Sequence, residues 1–185
     1  IPNKIYARKC EVKIVNNKDK TKFMDDNHIQ GNCISSINIG LYYNNELTSM
    51  MTFGRNRFKK DDTIELLRFC NKLNTNVVGG ASKLFQYYIK NYNPQTIITF
   101  ADRRYSLGKL YPILGFNFNS FTKPSYFYWK SMKIYNRMSF QKHMLSNKLN
   151  NFNPELSEYD NMLANGYNRV WDCGNYKFIW NKKEP

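Results

Sequence analysis

Four segments in a fixed order constrain this chain more than any other feature. Residues 64–70 are strand-like, residues 77–85 place Gly79-Gly80 ahead of a helical pattern, residues 97–104 turn from apolar to charged, and residues 110–116 form a short helical stretch ending in Gly115-Phe116. Together they read as strand, glycine turn, helix, strand, helix, strand. Polar residues fall where the strands end, and α/β folds build their sites there.

The flanking chain extends this pattern. Residues 4–15 alternate enough for a first strand, and residues 17–27 read as a helix with Phe23 and Met24 turned inward. Residues 36–43 and 47–54 form a hairpin about Asn44-Asn45, and residues 63–70 continue it as a third antiparallel strand. Beyond Asn71 the period changes from two to about 3.6, with Leu84, Phe85, Tyr88 and Ile89 on one helical face. Asn93-Pro94 stops that helix. Residues 95–101 are apolar on both faces, as in a central strand. Residues 106–114 are read as a short helix capped by Gly115, and residues 125–129 as a last strand. Helices are expected over 139–149 and 155–164, and a terminal hairpin over 169–180. With 185 residues, 42% of them hydrophobic, the chain can bury a real core.

Charge narrows the partners. The formal net charge is +14, a field that attracts polyanions. Residues 103–154 contain no Asp or Glu, yet they carry nine Lys or Arg interleaved with aromatic rings. Cations neutralise phosphates and exposed rings stack on bases, so DNA is the expected partner. Arg55, Arg57, Arg103, Arg104, Lys123, Lys130, Lys133 and Arg137 are the candidate DNA-binding residues. The bland alternative is that the rings are core and the lysines merely solvated.

Several classes are disfavoured. Cys10, Cys33, Cys70 and Cys173 form no Cys-x-x-Cys pair, so they read as reduced structural thiols. His28 and His143 make no metal motif, and no nuclease signature is present. Neither a membrane-spanning run nor a signal peptide is evident, which gives a cytoplasmic expectation with no membrane partner. The chain opens on Ile1 rather than methionine, as a processed chain or a piece of a longer protein would.

Five positions could carry chemistry. Val78-Gly79-Gly80-Ala81-Ser82 leaves backbone N–H groups open at a helix N-terminus, which suits a phosphate or pyrophosphate; a tight turn alone would also explain the glycines. Asp102, beside Arg103 and Arg104, is a base, a metal ligand or an arginine partner. Tyr111 could present its phenol to the same crevice or sit in the core. Arg68 lies among apolar strand residues and needs a partner, either Glu65, Asp102 or an anionic ligand. His28 could face the cleft or cap a helix.

Residues 47–129, with Val78-Gly79-Gly80-Ala81 before a helix and Tyr111-Pro112-Ile113-Leu114-Gly115-Phe116 later, resemble the GNAT acyltransferase superfamily. The resemblance implies an α/β (α+β) fold with a mixed central sheet and helices on both faces, an acyl-CoA pyrophosphate on the glycine turn and a tyrosine general acid. Asn76 stands where that family usually has Gln or Arg. The blocks Glu65-Leu66-Leu67-Arg68, Ser82, Phe100-Ala101-Asp102, Gly108-Lys109-Leu110-Tyr111 and Thr122-Lys123-Pro124 are similar to the Mom DNA-modification family of phages. That likeness implies a crevice of Arg68, Ser82, Asp102 and Tyr111 and either acyl-CoA or a metal at work. Strings such as residues 5–10, 77–84, 101–104 and 171–175 resemble C-terminal regions of phage-associated homing endonucleases. They imply a target-recognition module accompanied by a nuclease domain. On these likenesses residues 1–130 form the GNAT-like domain and residues 131–185 a basic helical and hairpin extension.

Overall fold

The computed structural model describes residues 3–55 and 63–182. Its contacts divide the chain into two compact units. The first holds Ile1–Ala101, Leu107–Ser120 and Tyr176–Pro185, and the second holds Asp102–Ser106 and Phe121–Asn175. The strand Tyr126–Lys130, which ends at the expected boundary, pairs with Lys133–Asn136 and Asn168–Trp171, both beyond it.

The first unit opens with β1 (Asn3–Tyr6), a 3-10 turn (Ala7–Lys9), β2 (Glu11–Ile14) and α1 (Asn17–Asn27). The Asn16 side chain accepts from the Asp19 N–H at 2.9 Å and so caps α1. β3 (Ile37–Tyr43) and β4 (Glu46–Arg55) form a hairpin whose turn residues Asn44 and Asn45 have φ of 50° and 63°. Asparagine tolerates that left-handed geometry, and the two-residue turn is the expected one. Next come β5 (Ile64–Asn71), β6 (Thr75–Val78), α2 (Gly80–Tyr92), β7 (Thr96–Asp102), α3 (Leu110–Ile113) and β8 (Asn117–Phe121). After the second unit, β12 (Asn175–Asn181) returns to a seven-stranded sheet ordered β2-β3-β4-β5-β7-β12-β8. β2 to β5 are antiparallel and β5-β7 is parallel, so the sheet is mixed.

Adjacent residues of β4 show which helix covers which face. Met50 packs with Phe23 and Met24 of α1, while Met51 packs with Leu84, Phe85 and Tyr88 of α2. Successive strand side chains point to opposite faces, so helices lie on both. Leu84 and Phe85 are fully buried, each contributing about 1.5–3 kcal/mol, and Tyr88 stacks on Phe53 with ring centroids 3.6 Å apart.

Four local expectations are corrected. Residues 4–15 are two strands separated by a 3-10 turn, and β1 runs parallel to β6 as a small separate sheet. The helix expected over 106–114 shrinks to Leu110–Ile113, because Gly108 sits at φ 69° and breaks the helical run. Residues 139–149 form 3-10 turns (Arg137–Phe140 and Lys142–Asn147), since the buried residues Phe140, Leu145 and Leu149 are spaced by five and four rather than in a helical stripe. The terminal hairpin is also absent, as its two strands join different sheets.

The second unit is a three-stranded antiparallel sheet, β10 (Lys133–Asn136), β9 (Tyr126–Lys130) and β11 (Asn168–Trp171), with α4 (Glu158–Ala164). Tyr126 and Tyr128 point into a core with Phe140, Leu145 and Met162, and both phenols donate to Glu158 Oε1, at 2.9 and 2.7 Å. No described helix is long and apolar enough to cross a membrane.

Candidate active site

The site grows from an irregularity in β5. Thr52 of β4 pairs with Arg68, and the next residue, Phe53, pairs with Leu66, so Leu67 is the extra residue of a β-bulge. The bulge moves Arg68 onto the α1 face with Cys70 and leaves Phe69 on the α2 face with Leu66. Arg68 Nη1 donates to the Leu67 carbonyl at 2.9 Å. Arg68 Nε and the fully buried Thr52 Oγ1, opposite it in register, have no hydrogen-bond partner among the described residues.

Beside the bulge the sheet opens. The parallel ladder of β5 and β7 covers Ile64↔Ile97, Glu65↔Ile98 and Leu66↔Thr99, and both strands continue beyond it. Their carboxyl ends part where Arg68 stands. Thr99 is fully buried and donates to the Leu66 carbonyl at 3.0 Å, tying together the last rung of the ladder.

Two further side chains feel Arg68. Tyr111, on α3, packs against Phe116 and Phe178. Burial raises its pKa, against opposing effects from Thr99 and the Arg68 charge, so the phenol holds its proton at neutral pH. His28 terminates α1, its N–H donating to the Met24 carbonyl at 2.9 Å. Desolvation, helped by Arg68, pulls its pKa down to about 4. His28 Nδ1 accepts from the Gln30 N–H at 3.1 Å, which leaves Nε2 as the donor of a neutral ring. The buried Lys20 holds the connection that follows, donating to Asn32 Oδ1 and the Cys33 carbonyl, each at 2.8 Å.

The glycine turn lies at the entry to α2, as expected. Gly79 adopts φ 77°, a left-handed geometry that favours glycine, and Gly80 begins the helix. A Cβ at Gly80 would stand 3.1 Å from Val77 Cγ1, so the turn packs tightly on β6. No side chain caps α2, and the first-turn amides have no intrahelical acceptors. Val78, Gly79 and Ser82 are exposed, while Gly80 and Ala81 are buried beneath them. Lys83 fixes the neighbouring segment by donating to the Ala7 and Cys10 carbonyls at 2.9 and 2.6 Å.

Arg68, Ser82 and Tyr111 thus all belong to the first unit. Asp102 falls in the second, where Arg104 engages both of its carboxylate oxygens at 2.6–3.2 Å. Of the three alternatives for Asp102, the arginine partner is the one observed. Among the described residues no group of three or more His, Cys, Asp and Glu could hold a metal ion.

The cations named for DNA are scattered over both units. Arg55 is exposed at the end of β4, and Arg57 lies outside the described residues. Arg104 is committed to Asp102, and Lys130 donates to the Asn165 carbonyl at 2.7 Å. Arg103 donates to the Cys173 carbonyl, and Arg137 lies over the Tyr126 ring. Lys123 and Lys133 are exposed.

Sequence reading missed the bulge, although a signal was present. Polar residues at 65 and 68, with Leu66-Leu67 between them, break the strand's period of two by one residue.

The chain matches no protein-family model and no curated protein. Solved structures do resemble it. An acetyltransferase from Bacillus subtilis, in complex with CoA, superposes with a TM-score of 0.54 at 11% identity, over 95% of this chain and 100% of that one. A GNAT-family acetyltransferase from Bacillus cereus gives 0.53 at 13% identity, over 95% and 99%. The ribosomal-protein-S18-alanine N-acetyltransferase from Escherichia coli gives 0.50 at 13% identity, over 62% and 81%. The mixed sheet with its bulged, parting strands and glycine-opened helix has the fold of the GNAT acetyltransferases.

Proposed function

We propose that the chain is an acyl-CoA-dependent N-acyltransferase. The observations that carry this reading are the parting of β5 and β7 after Leu66↔Thr99 and, in the same unit, a helix whose first-turn amides are free. A thioester donor supplies the acyl group. The open amides of residues 80–82 and the α2 dipole suit its pyrophosphate. In the reaction an amine nitrogen bonds to the acyl carbon, the carbon–sulfur bond breaks, the amine gives up a proton and the sulfur takes one. Tyr111 keeps its phenolic proton at neutral pH and is the residue assigned to deliver it. Neutral His28, donating through Nε2, orients an acceptor group.

The test is calorimetric titration with CoA, followed by thiol release from acetyl-CoA across a panel of amines. Saturable binding and amine-dependent thiol release that both weaken in Ser82→Asp are expected. Absence of CoA binding overturns the reading.

A second reading concerns the acceptor. A net charge of +14 disfavours a cationic amine and favours an amine carried by nucleic acid, such as a base in DNA. The outward face of β9 adds support: Trp129, Ile134 and Val170 are exposed there, and Arg104 lies over the Phe127 ring at 5.1 Å. Such a face stacks bases. The acetyltransferases named above lend no support to the DNA-directed likenesses, so this reading rests on charge and rings alone. Mass spectrometry of nucleosides from DNA incubated with the protein and acetyl-CoA should show a new acylated nucleoside. Unmodified DNA, beside a modified small amine, removes DNA as the acceptor.

A further inference from the structure

A second cavity, independent of the acyl-transfer reading, lies between β1 and the β3–β4 hairpin. Its volume is about 460 Å³, within the range of small-molecule sites. None of its lining residues belongs to the glycine turn 78–82. β1 and Lys9 form one wall, Tyr43, Asn44 and Thr48 another.

The charges around it are unbalanced. Glu46, its only carboxylate, is ion-paired with Lys72. Lys4 and Lys9 also line the cavity, and Arg8, outside the lining, precedes Lys9 in sequence; none of the three has a carboxylate partner among the described residues. Lys4 Nζ and Arg8 Cζ both sit on the Tyr6 ring, 5.4 and 5.2 Å from its centroid. Like charges gathered on one ring repel, and a bound anion would relieve that repulsion. The segment has little freedom to splay apart, because Lys83 clamps the carbonyls of Ala7 and Cys10 on either side of Arg8-Lys9.

The cavity is also aromatic. Tyr43 is half-buried in its wall and stacks on no other ring among the described residues. Asn3 and Asn44 stand exposed at the rim with side-chain amides that can both donate and accept. We propose that this cavity binds a ligand of the nucleoside-phosphate class, with its phosphates on Lys4 and Lys9 and its base against Tyr43.

ADP is the probe, by titration calorimetry on the whole chain. Single-site binding is expected, weakened at least tenfold by Lys4→Gln with Lys9→Gln, both exposed side chains whose loss leaves the fold intact. Ser82→Asp, which places a carboxylate at the α2 N-terminus, should leave ADP binding within twofold. Failure of ADP to bind overturns the proposal. So does binding that Ser82→Asp abolishes and the lysine pair leaves alone, because ADP would then occupy the α2 turn. Inorganic pyrophosphate binding as tightly as ADP would overturn the nucleoside assignment. CoA binding followed in the same variants reports separately on the acyl-transfer reading.

Discussion

Arg68 Nη1 donates to the carbonyl of Leu67, the residue that the β5 bulge removes from register with β4. The bulge creates the local opening, and the guanidinium satisfies a carbonyl that the ladder no longer pairs. Replacing Arg68 by Met keeps an apolar stem and removes that bond. A hydrogen bond from a charged donor contributes about 1.5–3 kcal/mol, so urea unfolding should show a loss of that order. The Arg68 charge also depresses the His28 pKa, so the His28 titration followed by NMR should move upward in Arg68→Met. An unmoved titration would mean that desolvation alone sets it.

Much of this fold could be read from the residues. The Asn44-Asn45 turn, the Gly79-Gly80 helix entry and the Asn93 stop each follow from local backbone chemistry, and each lies where it was expected. The pairing of β1 with β6 was not legible, because parallel partners separated by some seventy residues leave no local signature. The terminal hairpin failed for a tertiary reason: Asp172 accepts from the N–H groups of Ser125 and Gly174, turning the chain between two sheets. Of the candidate site, the position of the glycine turn at the entry to α2 could be named in advance. That Asp102 answers Arg104 could only be listed among alternatives, since sequence adjacency does not say which way a carboxylate turns.

His28 makes stability depend on acid. Its folded pKa of about 4 lies below the ordinary 6.5, so the unfolded chain binds its proton first. The contribution is intact above pH 6.5 and is lost as pH falls from 6.5 through 4. Partial solvent screening limits the loss to about 2–3 kcal/mol. Urea midpoints measured from pH 7.5 to 4 should fall less steeply in His28→Gln. Identical slopes would remove His28 as the cause.

Gly174 tests the second unit. It has φ 72°, and a Cβ built on it would press onto the Thr122 backbone carbonyl. Neither that backbone nor the Arg103 N–H that donates to the Gly174 carbonyl at 3.2 Å can yield cheaply. Gly174→Ala should cost about 2–4 kcal/mol, the sum of left-handed strain and overpacking. Gly79→Ala has the same φ sign, but its Cβ would meet only Ala7 Cβ at 3.8 Å, so about 1 kcal/mol is expected there. Equal melting-temperature shifts in the two variants would show that φ alone governs both.

Tyr111 separates chemistry from binding. Its ring is held by Phe116 and Phe178, so Tyr111→Phe keeps the packing and removes only the hydroxyl. A general acid contributes about 100- to 10,000-fold, so acyl transfer should fall into that range while CoA affinity by calorimetry stays within twofold. Burial raises the phenol pKa, so wild-type activity should persist on the alkaline side until Tyr111 ionises, above the usual tyrosine value of about 10. The residual activity of Tyr111→Phe should lack that alkaline limb. A variant with an unchanged rate would leave Tyr111 as packing against β7 and move the proton donor elsewhere in the opening beside Arg68.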